Sequence, residues 1–333
     1  MKIFVFNPEH DQCLGNGNPN YMPPQTTLRF AEDCCNLMSV LGNDEDICVP
    51  ASRVGEALRE HPDCLEIIPW GWNETLANQM KKQGVKENLI LSQSQLEWIK
   101  WGSDRKHTSA FANEARLGCH QSIFSEIPVV CKDIEMVENL LDQYEDLVLK
   151  SPLSGSGQGV RPISKKLSES QRGWVKRILS QHHYIMAERR YKVVQDFAAL
   201  YHINDVVDFV GYSLFDTHNF TYQGNRLISD DRIKEYISTM IHEKVLEQVV
   251  ENVGKMLNRH FRPVLRGMLG VDMFVFQKED GSFGLNPMVE INCRYTMGHV
   301  AHALVNKYSD SIGKHFVIKT PTEDNPHYSY IIE

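Results

Sequence analysis

Apolar residues recur along this chain in two rhythms, and the change from one to the other divides it. Over the first hundred residues, short apolar runs at Lys2 to Phe6, Asp46 to Val49, Leu65 to Pro69 and Asn88 to Leu91 read as strands. Between them a 3.6-residue spacing predicts helices at Thr27 to Leu41, Ser52 to Glu60 and Asn73 to Lys82, with Gly42 and Gly84 where C-terminal caps belong. Strands alternating with helices imply a parallel sheet covered on both faces. The connection from Asn7 to Thr26 is about twenty residues rich in Asn, Gly and Pro, far longer than a simple link. It leaves the C-terminal end of the first strand, where ligands of open α/β sheets gather, so it is expected to be a functional loop facing a cleft.

One further helix follows, and after it, near Gly102, the pattern shifts. A capping box at Ser94 and Glu97 is expected to open a helix through Trp98 and Trp101 to Gly102. Helices at about 106 to 117 and 134 to 144 lead to a strand at Asp146 to Lys150, a glycine-rich turn and a strand from Val160. A second capping box, Ser168 with Gln171, opens a helix to about Gln181, followed by a strand at Tyr184 to Glu188. From Phe197 to Ile228 short β-like runs broken by turn residues suggest a largely antiparallel sheet. Ile241, Val245, Leu246, Val249, Val250, Val253, Met256 and Leu257 then trace one face of a helix.

Composition narrows the function classes. In 333 residues, 42% hydrophobic and 23% charged content leaves no room for a mostly disordered chain, and the length points to two or three structural units. A formal charge of −8 with scattered basic residues leaves no footprint for a nucleic-acid backbone. The N-terminal apolar run stops at Asn7 and Pro8, too short for a signal-peptide core or a membrane span, so a cytoplasmic protein is expected. None of the eight cysteines forms a Cys-x-x-Cys pair, and they read as reduced thiols, mostly buried.

Two constellations carry chemistry. In the first, Lys150 ends an apolar strand and Ser154-Gly155-Ser156-Gly157-Gln158-Gly159 follows, a loop whose backbone N–H groups can approach phosphate oxygens while the ammonium supplies a point charge. The lysine precedes the glycines and a strand follows them, which excludes both a Walker A motif and a dinucleotide fingerprint; a plain flexible hairpin is the alternative. In the second, Gly270 to Phe276 and Leu285 to Arg294 flank a turn at Glu279 to Ser282. Alternation sends Glu290, Asn292 and Arg294 to one face. A three-residue turn pairs 278 with 282, which puts Asp272 opposite Met288 and Glu290 two residues further on. Two carboxylates and an amide oxygen then converge as a hard-oxygen set suited to Mg²⁺ bridging to phosphates, unless this is an ordinary polar sheet face. His299 and His302 read as surface or cap histidines rather than metal ligands, and no Gly-x-Ser-x-Gly elbow suggests a Ser-His-Asp triad. Glu9, His10, Asp11 and Tyr21 in the first loop are candidates to meet a substrate.

Taken in order from Ser103 to the C-terminal region, these features resemble the ATP-grasp superfamily. The segment Ser103-Asp104-Arg105-Lys106-His107-Thr108 is similar to the family's opening segment, where a basic residue faces the nucleotide, a place open to Arg105 or Lys106, with Lys106 counted among the nucleotide contacts. By the same resemblance Lys150 and Ser154, Gly155, Ser156, Gly157 and Gly159 would hold the phosphates, and Glu188 in Ile185 to Tyr191 would lie at the adenine, with Asp196 near the ribose. Asp272, Glu290 and Asn292 fall on magnesium ligands, and Arg294 on an arginine that, with Lys150, would act on the reacting phosphate. The resemblance implies an α/β (α+β overall) ATP-grasp fold. It would comprise a Rossmann-like N-terminal domain (1–102), a central subdomain with the glycine loop (103–187) and a mostly antiparallel C-terminal subdomain (188–333). It also implies ATP and Mg²⁺, with Mn²⁺ as a substitute, and a small-molecule or peptide carboxylate joined to an amine through an acyl phosphate. A kinase acting on another acceptor and a non-catalytic ATP-binding module are the rivals. Neither nucleic acid nor membrane is an expected partner; the oligomeric state is not legible, a dimer being compatible with the reading.

Overall fold

The computed structural model describes residues 1–155, 157 and 159–333, and among them three sheets organise the chain. The first is parallel, in the order β2-β1-β3, from β1 (Lys2–Phe6), β2 (Ile47–Pro50) and β3 (Glu66–Pro69), with Ile3 opposite both Ile47 and Ile67. Its helices are α1 (His10–Asn16), α2 (Gln25–Asp33), α3 (Val54–Glu60), α4 (Glu74–Lys82) and α5 (Gln93–Gly102). Ile3, Val5 and Ile67 bury one face against α3 and α4, while Phe4, Phe6 and Trp70 bury the other. Both faces are covered, as the alternation implied.

Four local expectations change. The run Asn88 to Leu91 is no strand: Glu87–Leu89 forms a 3-10 turn, because a few consecutive apolar residues carry no period that distinguishes strand from turn. The helix expected at Thr27 to Leu41 ends at Asp33 and tightens into a 3-10 segment at Cys35–Leu41. Winding with three residues per turn lines up Cys34, Leu37 and Val40 along one buried edge. Gly84 takes the left-handed conformation of a cap (φ 81°), whereas Gly42 is extended (φ −104°). The Ser-Gln-Ser-Gln run contains two overlapping box signatures, and the box at α5 uses Ser92 and Gln95 rather than Ser94 and Glu97.

The second sheet is antiparallel, in the order β4-β7-β5-β6, from β4 (Val129–Cys131), β5 (Asp146–Lys150), β6 (Val160–Ser164) and β7 (Ile185–Arg189). The chain reaches it through α6 (Arg105–Ala115), and α7 (Ile134–Tyr144) and α8 (Glu169–His182) cover one face. Ser168 and Gln171 form the expected capping box of α8. Leu147, Leu149 and Ala187 point into this core, so strand alternation turns Val148, Lys150, Met186 and Glu188 to the opposite face.

The third sheet has seven antiparallel strands in the order β12-β11-β8-β9-β10-β13-β14. They are β8 (Lys192–Ile203), β9 (Val207–His218), β10 (Thr221–Arg226), β11 (Gly267–Gln277), β12 (Phe283–Asn292), β13 (His315–Lys319) and β14 (Ser329–Ile332). With α9 (Asp230–Ser238), α10 (Glu243–His260) and α11 (Met297–Lys307) they complete the chain. Phe197, Ala199, Tyr201, Val271, Met273 and Val275 pack on the apolar stripe of α10, which leaves Asp196 and Asp272 on the other face. Val300, Ala301 and Leu304 of α11 and Phe316 of β13 meet Phe4, Phe6 and Trp70, tying the parallel sheet to this one. All eight cysteines are free thiols, with Cys13, Cys34, Cys131 and Cys293 buried and the others half-buried. Among the described residues no helix is long and apolar enough to cross a membrane.

Candidate functional site

The β11–β12 hairpin has the expected turn but not the expected register. Gln277 pairs with Phe283 and Phe274 with Asn286, after which the register slips so that Asp272 lies directly opposite Glu290 rather than Met288. Two extra residues on β12 form a bulge over Pro287 to Val289. Pro287 has no N–H to give the ladder, and Asn286 Oδ1 accepts a hydrogen bond from Met288 N at 3.1 Å. The slip is an even number, so the same face still looks inward, and the two carboxylates become immediate cross-strand neighbours. Asn292 Nδ2 donates to Asp272 Oδ2 at 3.1 Å. Burial, reinforced by Glu290, pushes the Asp272 carboxyl up to about 7.

Lys150 and Glu188 are diagonal neighbours on β5 and β7, and their charged ends meet at 2.5 Å with both side chains under 10% exposed. Asp196 on β8 lies in the field of Lys150; burial raises its pKa, while a 2.7 Å hydrogen bond from Thr217 Oγ1 works the other way. β5 and β6 pair as a hairpin, and just beyond Lys150 Ser151 N donates to Gly159 O at 2.8 Å. Gly157 has φ 74°, and a Cβ there would lie 2.1 Å from Phe220 O. Gly159 packs against Ser154, and Gly155 lies so near Asp11 that a Cβ would come within 2.0 Å of Oδ2. Ser156 lies outside the described residues.

Arg105 binds these parts together. Its guanidinium donates to Ser151 O (2.6 Å), Ser154 Oγ (2.9 Å), Ser154 O (2.9 Å) and Glu290 Oε2 (2.7 Å). Of the two candidates in the opening segment, Arg105 is thus drawn into the cluster. Lys106 is exposed, with its ammonium 5.6 Å from the centroid of the Tyr184 ring. Helical phase separates the two: Asp104 caps α6, and Arg105 falls on the buried face with Thr108, Ser109 and Ala112, whereas Lys106 falls in phase with exposed Ala110 and Asn113. That signal was present in the sequence.

The residues between Asn7 and Thr26, expected to be an extended loop, contain helix α1. Asp11 projects from it to form a two-pronged ion pair with Arg294, Nε to Oδ1 at 3.0 Å and Nη2 to Oδ2 at 2.7 Å. Burial alone would raise the Asp11 pKa, but Arg294 outweighs it and holds the carboxyl below its usual range. His10 turns away from this cluster, buried beneath Gly71 with Nδ1 3.3 Å from Asn73 Nδ2, and burial lowers its pKa to about 4. Glu9 and Tyr21 line a separate cavity. A small cavity of the cluster itself is walled by Asp11, Leu14, Ser103, Leu153, Ser154, Glu290, Ile291 and Asn292. His299 is a cap histidine: Nδ1 accepts from Thr296 N at 3.0 Å, and burial lowers its pKa to about 3. His302 pairs with Asp230 at 3.1 Å.

Solved structures of similar overall fold are distant in sequence. N5-carboxyaminoimidazole synthetase from Staphylococcus aureus superimposes with a TM-score of 0.50 at 12% identity, over 100% of this chain and 93% of that one. Biotin carboxylase from Campylobacter jejuni, solved as a β-γ-ATP complex, gives 0.51 at 12% identity over 98% of this chain and 77% of that one. The biotin carboxylase domain of the Hydrogenobacter thermophilus 2-oxoglutarate carboxylase, solved with MgADP, ADP and bicarbonate, gives 0.50 at 12% identity over 91% and 69%. The chain therefore has the ATP-grasp fold, as its motifs implied. No family's sequence profile and no curated protein matches it.

Proposed function

We propose that the protein is an ATP-dependent ligase that activates a carboxylate as an acyl phosphate and passes it to an amine, releasing ADP and phosphate. The observation that carries this reading is one face-to-face cluster, in which Lys150 and Glu188 on one sheet and Asp196, Asp272 and Glu290 on another are joined through Arg105 and the glycine loop. In this reading Lys150 neutralises phosphate charge, Glu188 and the β7 backbone accept from the adenine, and Asp196 meets the ribose. Arg105 holds the loop and offers a second cation.

The donor set fits a magnesium ion. Asp272, Glu290 and the amide oxygen of Asn292 supply three hard ligands on adjacent strands, and Mg²⁺ ordinarily fills its other positions with water and phosphate oxygens. Among the described residues no group of three or more His, Cys, Asp or Glu side chains is placed to hold a metal ion by itself. Asn292 now offers Nδ2 to Asp272, so ligation requires its amide to turn over. Bound there, the ion would screen charge on the transferred phosphoryl group. Arg294 supplies planar, two-pronged recognition of oxyanions; it exchanges its Asp11 partner for the acyl phosphate, and Asp11 is freed to accept from the amine. The loop that Arg105 grips excludes water from an intermediate that water would destroy.

The test is ADP release against panels of carboxylates and amines, with hydroxylamine as trap. Hydroxamate formed from one carboxylate in step with ADP supports the ligase. ADP release that tracks a hydroxyl acceptor without hydroxamate would make it a kinase, and nucleotide binding without turnover on any acceptor would make it a binding module.

A further inference from the structure

Helix α1 presents two faces to different surroundings. Asp11 and Gly15 look toward the glycine loop and Arg294, whereas Glu9 at its N-terminal boundary and Cys13, one turn on, look the opposite way, into a cavity of about 270 Å³. This cavity opens beside the C-terminal ends of β1 and β2, where Pro50, Ala51 and Ser52 leave the sheet. Its walls are largely apolar, including Tyr21, Met22, Leu28, Ala31 and Leu76. Glu9 lines it, is 6% exposed, and has an Oε2 without a hydrogen-bond partner. A buried carboxyl oxygen left unpaired is costly, and native proteins seldom leave one without a reason. Burial also pushes Glu9 up to about 7, which a cation beside it would reverse. Glu32 adds a second carboxylate at the exposed rim, and the cavity's lysine, Lys82, is engaged with Asn20 Oδ1 at 2.7 Å.

We infer that this cavity is a binding site for a small primary amine with a compact apolar body, the ammonium group seated on Glu9 and the body against Tyr21, Leu28 and Leu76. It is separated from the nucleotide cluster by the thickness of α1, and the inference does not rest on the ligase reading. A donor group satisfies Glu9, the apolar walls take a hydrocarbon or aromatic body, and a space of about 270 Å³ suits a small molecule.

The test uses the full chain and 2-phenylethylamine, with 2-phenylethanol and phenylacetate as matched controls. Methyl resonances report where each binds, and calorimetry reports how tightly. The amine is expected to shift the methyls of Leu28, Ala31, Thr75 and Leu76 while Leu153 and Ile291, beside the nucleotide cluster, stay unmoved. Glu9→Gln, confirmed folded by circular dichroism, is expected to weaken amine binding at least tenfold, and the exposed Glu32→Gln severalfold. The inference is overturned if the alcohol binds as tightly as the amine, if the shifts map elsewhere, or if the natural protein shows no shift at tens of millimolar amine. Because the mapping is done on the natural protein, it decides the matter even if Glu9→Gln does not fold.

Discussion

Replacing Lys150 by Met separates what the Lys150–Glu188 pair does for the fold from the role proposed for it in holding ATP. The two charges lie 2.5 Å apart with less than a tenth of either side chain exposed, so removing the ammonium strands a carboxylate in a poorly solvated place. Breaking such a pair costs about 3–5 kcal/mol, whereas replacing both members by apolar residues is often neutral or stabilising. At about 1.4 kcal/mol per factor of ten, Lys150→Met should speed hydrogen exchange of the β5 and β7 amides by roughly two to three and a half orders of magnitude. The second variant, Lys150→Met with Glu188→Leu, should restore most of that protection, because the side chains alternate out of a sheet whose other face, around Leu147, Leu149 and Ala187, is already well packed. ATP affinity by calorimetry should be lost in both variants. Unchanged exchange in the single variant would show that the pair is not desolvated as the geometry indicates, and ATP binding at the natural affinity in the double variant would remove Lys150 and Glu188 from the nucleotide site.

Other expectations follow from the same contacts. Glu290→Gln should fold and still bind nucleotide but lose turnover, as read by ADP release; substantial activity would sink the magnesium assignment. Asp272 has a raised folded pKa, so the folded state holds a proton that the unfolded state has lost between pH 3.8 and about 7, and stability falls as pH rises through that window. Asp272→Asn should therefore raise Tm at pH 7.5 and leave it unchanged near pH 3.5, a gain of up to a few kcal/mol. For His10 and His299 the sign is opposite: their folded pKa values are depressed to about 4 and about 3, so the stability they contribute is complete above pH 6.5 and is lost as pH falls below it. Replacing His299 by Gln should flatten acid unfolding between pH 6.5 and 4. Gly155→Ala should lower kcat more than it weakens ATP binding, because the new methyl collides with Asp11 and disturbs its hold on Arg294.

Much of this site was legible before the fold was known, for reasons that can be named. Lys150 at the end of a five-residue strand and the alternation of Glu290, Asn292 and Arg294 are local facts, and local periodicity survives folding. What sequence did not reveal was mostly long-range or depended on backbone detail. The Asp11–Arg294 pair spans 283 positions, and nothing near either residue points to the other. The bulge at Pro287 shifted the partner of Asp272 by two residues, because turn chemistry sets register only up to the first irregularity. The choice of Arg105 over Lys106 was readable from helical phase once the α6 boundary was placed at Asp104. Helix α1 was hidden because Gly15, Gly17 and the surrounding asparagines suppress the helical signal in a segment only seven residues long.

The two-residue bulge on β12 also acts as a length adjuster. An insertion of one residue there would turn Glu290, Asn292 and Arg294 outward together, but loss of the two extra residues lets the ladder run evenly from the Phe274–Asn286 pair to the Asp272–Glu290 pair, with pairing and orientation kept. The number of residues between the carboxylates of this hairpin is therefore free to vary in steps of two while the chemistry stays intact. A search keyed to a fixed interval between Asp272 and Glu290 would pass over chains that differ only in this adjustment, although their folded sites would superimpose. Removing Pro287 together with Met288 offers a way to reset the interval by design, returning the hairpin to an even ladder with both carboxylates still facing inward.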